Sequence, residues 1–326
     1  MNAVTQLGND AVEDLFSRYD LGRIERLQLA ANGVENSNYF VELRCADGRP
    51  RRVVLTLLEQ PSYAGRRPFV DLLDVCGRAG LPVPRLHRNR DRQAYDECEG
   101  KTVIVCSALR GQHVLNPTRT QIAAVGRFLA RFHLTTDKLA SYLPAYPRDA
   151  KWLAAGLDTI RGRVPYSSEL QLIERGVAAS RSLLARRDVG ALPRSVIHGD
   201  LFRDNALFVV QGLTGVLDFH HAATGFCIYD LAVVANDWCT DSQGTLDTER
   251  VHALLRSYQQ VRPLEAAELW WFPVFTVYAA TAFYLSRACA RIEGSGRIKD
   301  PLEFARTLQQ HLRAPLYLDR RLIDLR

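Results

Sequence analysis

The sequence predicts an α+β, bilobal fold: a strand-rich N-terminal lobe over residues 1–109 and a mainly helical C-terminal lobe over residues 110–326. Three observations carry that expectation. A chain of 326 residues exceeds the usual size of one compact domain. The first third alternates short apolar runs with Gly and Pro breaks, whereas the apolar spacing after Gly111 follows the helical period. A patch of short apolar strands between Ser195 and Leu217 interrupts the helical part and frames a cluster of acids and an amide.

Element by element, Asn9 is placed to cap a helix whose apolar positions are Val12, Leu15, Phe16 and Tyr19, with Gly22 just beyond its end. Tyr39 to Leu43 and Arg52 to Leu58 read as paired strands joined by a turn containing Asp47-Gly48. A helix is predicted from Pro68 to Arg78, closed by Gly80, and Leu81-Pro82-Val83-Pro84 breaks any continuation. Further strands end in Thr102 to Cys106, and Ser107 to Gly111 connects the lobes. Thr118 and Gln121 form a capping-box pattern ahead of Ile122, Val125, Phe128, Leu129 and Phe132. Another helix is predicted over Ser168 to Arg186. The strands Ser195-Val196-Ile197, Ala206 to Val209 and Gly215-Val216-Leu217 follow, and helices resume from Tyr229. Leu269 to Leu285 is the longest apolar stretch; it is shorter than the ~20 residues that span a bilayer, Pro273 interrupts it, and a buried helix explains it.

Composition narrows the function classes. Hydrophobic content of 47% with 24% charged residues is that of a folded chain. A formal charge of +6 without a basic run argues against a nucleic-acid partner. The seven cysteines (45, 76, 98, 106, 227, 239, 289) are widely spaced with no Cys-x-x-Cys pair, which speaks for reduced thiols rather than a disulfide framework or zinc ribbon. Met1 to Gln6 lacks the basic start and apolar run of a signal peptide, so a cytoplasmic protein with no membrane partner is expected.

The chemistry concentrates in His198-Gly199-Asp200-Leu201-Phe202-Arg203-Asp204-Asn205 and the later Asp218-Phe219. Phosphoryl transfer from ATP needs one carboxylate to orient the attacking hydroxyl and accept its proton, with an amide oxygen and a second carboxylate to hold Mg²⁺. Asp200 fits the first role; Asn205 and Asp218 fit the second. Loop aspartates often do no more than make turn or cap hydrogen bonds. Here, however, three functional groups sit on loops that follow apolar strands, and a short hairpin would bring the carboxylates together. His198 is read as orienting the loop rather than as a base. His220, after Asp218-Phe219, is read as facing solvent or substrate; it and His221 would point to opposite faces of an extended chain and so not form a metal pair. His133 is read as a packed or capping residue. Asp230 begins a helix, where an acid interacts favourably with the helix dipole.

His198 to Asn205 together with Val216-Leu217-Asp218-Phe219 resembles the catalytic core of the aminoglycoside-phosphotransferase-like kinases, relatives of the protein kinases. Within that group the chain is most similar to the bacterial homoserine kinases of the ThrB type. The segments Gly33 to Phe40, Val54 to Glu59, Leu81 to Pro84, Ile228 to Ala232, Asn236 to Cys239 and Lys299 to Pro301 carry the narrower likeness. The resemblance implies a protein-kinase-like fold, ATP and Mg²⁺ as cofactors, and transfer to the hydroxyl of L-homoserine as the small-molecule substrate, in threonine biosynthesis. A kinase of another small hydroxylated metabolite, choline-like or an aminoglycoside, and a non-catalytic pseudokinase are the alternatives.

That resemblance makes Gly33, Asn36, Ser37 and Asn38 a phosphate-covering turn and sets adenine near Ser107 and Leu109. Asp230 also resembles a kinase-group acid that braces the catalytic loop, a role compatible with its place at the helix dipole. Thr56 stands where many kinases carry a phosphate-binding lysine, and the first lysine in the chain is Lys101. Arg52, on the same strand face as Thr56, is a candidate cation. A zwitterionic substrate needs an acid and a cation of its own, for which Asp237 and Arg287 are the guesses.

Overall fold

The computed structural model describes residues 6–30, 36–59, 67–210, 212–294 and 300–318. The chain divides into two units, Met1–Arg110 and Gly111–Arg326.

The first unit is a six-stranded antiparallel sheet with helices α1 (Asn9–Ser17) and α2 (Arg67–Arg78). Its strands are β1 (Arg23–Leu29), β2 (Ser37–Arg44), β3 (Pro50–Leu57), β4 (Leu86–His87), β5 (Asp96–Cys98) and β6 (Lys101–Ser107). Spatial order is β1-β2-β3-β6-β4, with β5 also paired to β6. Strict alternation on β2 turns Tyr39, Val41 and Leu43 to one face. They pack there with Val53, Leu55 and Leu57 of β3, with Val103 and Val105 of β6, and with Val12, Leu15 and Phe16 of α1. Asn9 does not cap α1; the extended backbone at Gly8 makes that residue the cap, and Asn9 begins the helix. Strand β1 has no counterpart in the sequence reading, because most of its side chains are exposed and leave no apolar alternation to detect.

The second unit is mainly helical. Helix α3 (Arg119–Thr136) opens with the expected capping box between Thr118 and Gln121. There follow α4 (Ala150–Arg161), α5 (Ser168–Leu184) and the short α6 (Arg187–Gly190). Two small antiparallel ladders come next: β7 (Arg194–Ile197) pairs with β10 (Ala223–Phe226), and β8 (Ala206–Val209) forms a hairpin with β9 (Gly212–Val216). Helices α7 (Cys227–Trp238), α8 (Thr248–Gln259), α9 (Ala266–Glu293) and α10 (Leu302–Arg313) complete the unit.

The long helix α9 is the central post, packed by α4, α5, α7 and α10. It is the buried helix expected for the Leu269 to Leu285 stretch, and it runs 28 residues with Pro273 inside it. Packing on several sides offsets the one backbone hydrogen bond a proline removes. The helix is long and apolar enough to cross a membrane, yet 72% of its apolar window is buried inside its own fold.

Candidate active site

Strand β7 delivers the chain to His198-Gly199-Asp200. Gly199 adopts a positive φ of +74°, and a Cβ there would lie 3.0 Å from the Tyr146 ring and 3.3 Å from the His221 carbonyl. Glycine is therefore required by conformation and by space. Past Asp200 the loop closes on itself: Phe202 N–H donates to the Asp200 carbonyl at 2.8 Å and Asn205 N–H to the Phe202 carbonyl at 2.9 Å. The Asn205 amide nitrogen then donates to Asp200 twice, to its carbonyl at 2.8 Å and to Oδ2 at 3.1 Å. These bonds fix the amide with its oxygen turned away from Asp200, available as a cation ligand.

The β8–β9 hairpin returns the chain to this loop. Leu217 clasps both sides through its backbone, its N–H donating to the Asn205 carbonyl at 2.9 Å while its carbonyl accepts from His198 Nε2 at 2.9 Å. Asp218 follows at once, in a left-handed conformation (φ 60°, ψ 65°) rare for a non-glycine residue and characteristic of functional sites. Its Oδ1 is buried and has no hydrogen-bond partner among the described residues. An orphaned carboxylate oxygen and an outward-turned amide oxygen, on segments joined by the Leu217–Asn205 backbone bond, form a donor set that suits a hard divalent cation. Among the described residues no cluster of three or more His, Cys, Asp or Glu could hold a metal. A cation here would thus complete its shell with water and phosphate oxygens.

Behind the loop lies a buried bracket. Asp230, on the first turn of α7, accepts the His198 N–H at 2.7 Å and the Gly199 N–H at 2.8 Å on its two oxygens. It also meets His133 Nε2 at 3.1 Å, and His133 Nδ1 reaches the Tyr258 hydroxyl at 2.7 Å. Burial alone disfavours a charged His133; the Tyr258 hydroxyl, the Cys227 thiol and Asp230 outweigh it and hold the pKa well above the ordinary value. His198 is the opposite case. Burial lowers its pKa against the pull of Asp230, and it is a neutral imidazole that donates from Nε2 and accepts the Asp200 N–H at Nδ1, at 3.3 Å. The Phe219 ring packs on it at 4.8 Å. Phe219–His221 is a 3₁₀ turn rather than extended chain, with His220 half-buried beside Asp218.

The two residues expected to meet the substrate's charged groups, Asp237 and Arg287, already have partners within the protein. Asp237 is occupied by Arg203 of the catalytic loop, accepting its backbone N–H at 2.7 Å and its guanidinium at 3.1 and 3.2 Å. Burial raises the Asp237 pKa against the pull of that arginine. Arg287 donates to Glu303 at 2.8 Å and to the Asp300 carbonyl at 3.0 Å, with its guanidinium 4.6 Å from the Phe304 ring centre. Each charge is neutralised within the protein. Their partners lie far along the chain, which is why the sequence did not reveal them.

In the first unit, Gly33 lies outside the described residues. Asn36 Oδ1 accepts the Glu59 N–H at 3.2 Å, and the Ser37 hydroxyl donates to Glu59 Oε1 at 2.5 Å. Lys101 forms an ion pair with the same carboxylate. Thr56 donates to Asn38 Oδ1 at 2.7 Å, so the residue in the usual lysine position pins the strand that leaves the turn. Arg52 is four residues from Thr56, roughly 13 Å along the strand, and its guanidinium lies 4.2 Å from the Phe40 ring centre. Among the described residues, Lys101 is a cation brought near Ser37 by their shared partner Glu59. Ser107 closes β6 through two bonds with the Arg85 backbone, and Leu109 is half-buried just past it.

Comparison with known proteins places these features in context. Residues 26–264 match the Phosphotransferase enzyme family. The homoserine kinase of Pseudomonas aeruginosa (strain LESB58) is 36% identical over 321 residues, covering 98% of this chain and 99% of the relative. That of Methylobacillus flagellatus is 33% identical over 320 residues, 96% of each. Among solved structures, a spectinomycin phosphotransferase in complex with ADP and spectinomycin superposes with a TM-score of 0.68 at 12% identity, over 94% of this chain and 95% of that one. An amicoumacin kinase in complex with AMP-PNP and Ca²⁺ gives 0.67 at 15% identity over 95% of each.

Proposed function

The chain belongs to the phosphotransferase enzyme family, and from that premise we propose that it is a homoserine kinase, converting ATP and L-homoserine to ADP and O-phospho-L-homoserine in the cytoplasmic synthesis of threonine. The observation that carries this reading is the joining of two facts. The relatives that match nearly end to end are homoserine kinases, and the Asn205 amide orients the carboxylate of Asp200, to which this reading gives the activation of the alcohol.

In this reading the Asp200 carboxylate receives the substrate hydroxyl while the Asn205 amide holds its Oδ2. The carboxylate orients the oxygen for in-line attack and takes its proton late, as the bond to the γ-phosphorus forms. The Asp230 bracket and the His198–Leu217 bond keep the loop from drifting during that step. Asn205 and Asp218 would hold Mg²⁺, which supplies charge neutralisation on the phosphates. In the first unit, Lys101, which shares its partner Glu59 with Ser37, is a cation available to the phosphates in place of a lysine at position 56. Transfer is then largely a matter of positioning and electrostatics.

The test is ADP release measured with L-homoserine, L-serine, L-threonine, choline and kanamycin. Turnover with homoserine well above the other alcohols is expected. Activity confined to choline or kanamycin would overturn the assignment. Complementation of a homoserine-kinase-deficient threonine auxotroph checks the pathway.

A further inference from the structure

Resting on that reading, we infer that Arg148 is the residue that recognises the substrate's α-carboxylate, and so selects an amino acid over a plain amino alcohol. The inference starts from a charge that the protein leaves unmatched. The other substantially buried arginines of this unit each face a carboxylate: Arg203 faces Asp237, Arg262 faces Glu268 and Arg287 faces Glu303. Arg148 forms no ion pair within 4 Å among the described residues; its side chain has the neutral Tyr229 hydroxyl for a hydrogen-bond partner, but its Nη1 is buried without one. Burying a guanidinium in that state is costly unless something arrives to pair with it.

Its surroundings place it at the catalytic loop. The Tyr146 ring, two residues before Arg148, lies against Gly199, and its hydroxyl meets that of Tyr229 at 3.0 Å, one residue before the bracketing Asp230. The guanidinium sits 4.2 Å from the centre of the Phe283 ring, which in turn packs edge-on against Phe202 of the loop at 4.6 Å. Its neighbours include Tyr146 from its own segment, Trp152 from α4, Tyr229 from α7, Phe283 from α9 and Asp200 from the loop. Asp200 is the one carboxylate among these neighbours, and it is already committed to Asn205 and the reacting hydroxyl.

The side chain is also built to stay in place. The Arg148 carbonyl accepts the Tyr278 hydroxyl at 2.6 Å. The next residue, Asp149, caps α4 by accepting from Lys151 and Trp152 N–H at 2.9 and 2.8 Å. The residue as a whole is only half-buried, and Nη1 marks the edge of the planar fork that lacks a partner. A carboxylate meeting that edge would take two parallel hydrogen bonds. Homoserine carries its carboxylate a few carbon atoms from the hydroxyl, so one molecule can present the first to Arg148 and the second to Asp200.

The experiment compares L-homoserine with 3-aminopropan-1-ol, the same chain without the carboxylate, read as alternative substrate or as competitive inhibitor. Arg148→Met should raise the KM for homoserine on the order of a hundredfold while leaving the KM or Ki of the analogue and the KM for ATP within about threefold. Arg148→Lys keeps a cation but not the fork, and should fall between, with the analogue again unmoved. It also serves if the methionine variant is unstable. Equal losses for both compounds in either variant would make Arg148 structural and overturn the inference, as would an unchanged KM for homoserine. Wild-type turnover of homoserine is the separate test of the proposed function.

Discussion

Asp200 depends on a single neighbouring amide for its orientation and on a sealed pair of charges for its footing, and these two dependencies are separable. Asp200→Asn should lower kcat by about 10²–10⁴, the range for a positioned proton acceptor, with an unchanged far-ultraviolet circular dichroism spectrum. Equal turnover would remove Asp200 from its role. Asp230→Asn should act differently. It leaves the charge on His133 buried without its counterion, and unfolding in urea should show a loss of about 3–5 kcal/mol. The residues His198, Asp200, Asn205 and Asp218 could be found in the sequence because their spacing is local and their chemistry distinctive. The partners of Asp230, Asp237 and Arg287 could not. A buried charge is neutralised by whatever the fold brings alongside it, and neither Arg148 nor Lys101 carries any local mark of its surroundings.

Helices cross closely where a glycine lets them, and α3 meets α8 in this way. A Cβ on Gly126 would lie 2.6 Å from the Leu254 carbonyl oxygen and 2.3 Å from the Ser257 hydroxyl. A backbone atom cannot step aside as a side chain does. Gly126→Ala should therefore destabilise by about 1–3 kcal/mol through overpacking, despite alanine's better helix propensity, as read from the midpoint of chemical unfolding.

A pH effect belongs to this scale too. His311 on α10 donates from Nε2 to Asn236 Oδ1 on α7 at 2.8 Å, and burial lowers its pKa to about 4. Its neutral form is the folded one, so the stability it contributes is present above the ordinary value near 6.5 and is lost as pH falls toward about 4. Between pH 7 and pH 4.5 the wild type should lose about 2–3 kcal/mol more than His311→Gln, which keeps a donor but does not titrate. Most helices could be read from apolar spacing and caps, and α3 matched to its capping box. Strand β1 could not, having little buried surface.

For the whole molecule, the division of labour along the chain has a simple experimental correlate. Among the described residues no group of three or more His, Cys, Asp or Glu could hold a metal, so the proposed Mg²⁺ at Asn205 and Asp218 would need further ligands from nucleotide and water. A chelator should abolish turnover while leaving the thermal midpoint of the nucleotide-free protein unmoved. A large drop in that midpoint would instead mean a structural metal. The strand-rich and helical halves were evident from composition because short apolar runs and helical periods differ over tens of residues. The relation of the catalytic loop to its bracket was not, since it joins α3, the catalytic loop, α7 and α8 across more than a hundred positions.

Helix α9 carries a consequence for how the chain is made. Three of the helices that cover it, α4, α5 and α7, precede it in the chain, and only α10 follows. During synthesis the most membrane-like segment therefore leaves the ribosome after most of its cover has been translated. At roughly 5–20 residues per second, α10 is complete a few seconds later. The order of elements thus shortens the time in which this apolar surface can be recognised by insertion machinery or meet another nascent chain. Moving α9 toward the N-terminus by circular permutation would lengthen that exposure.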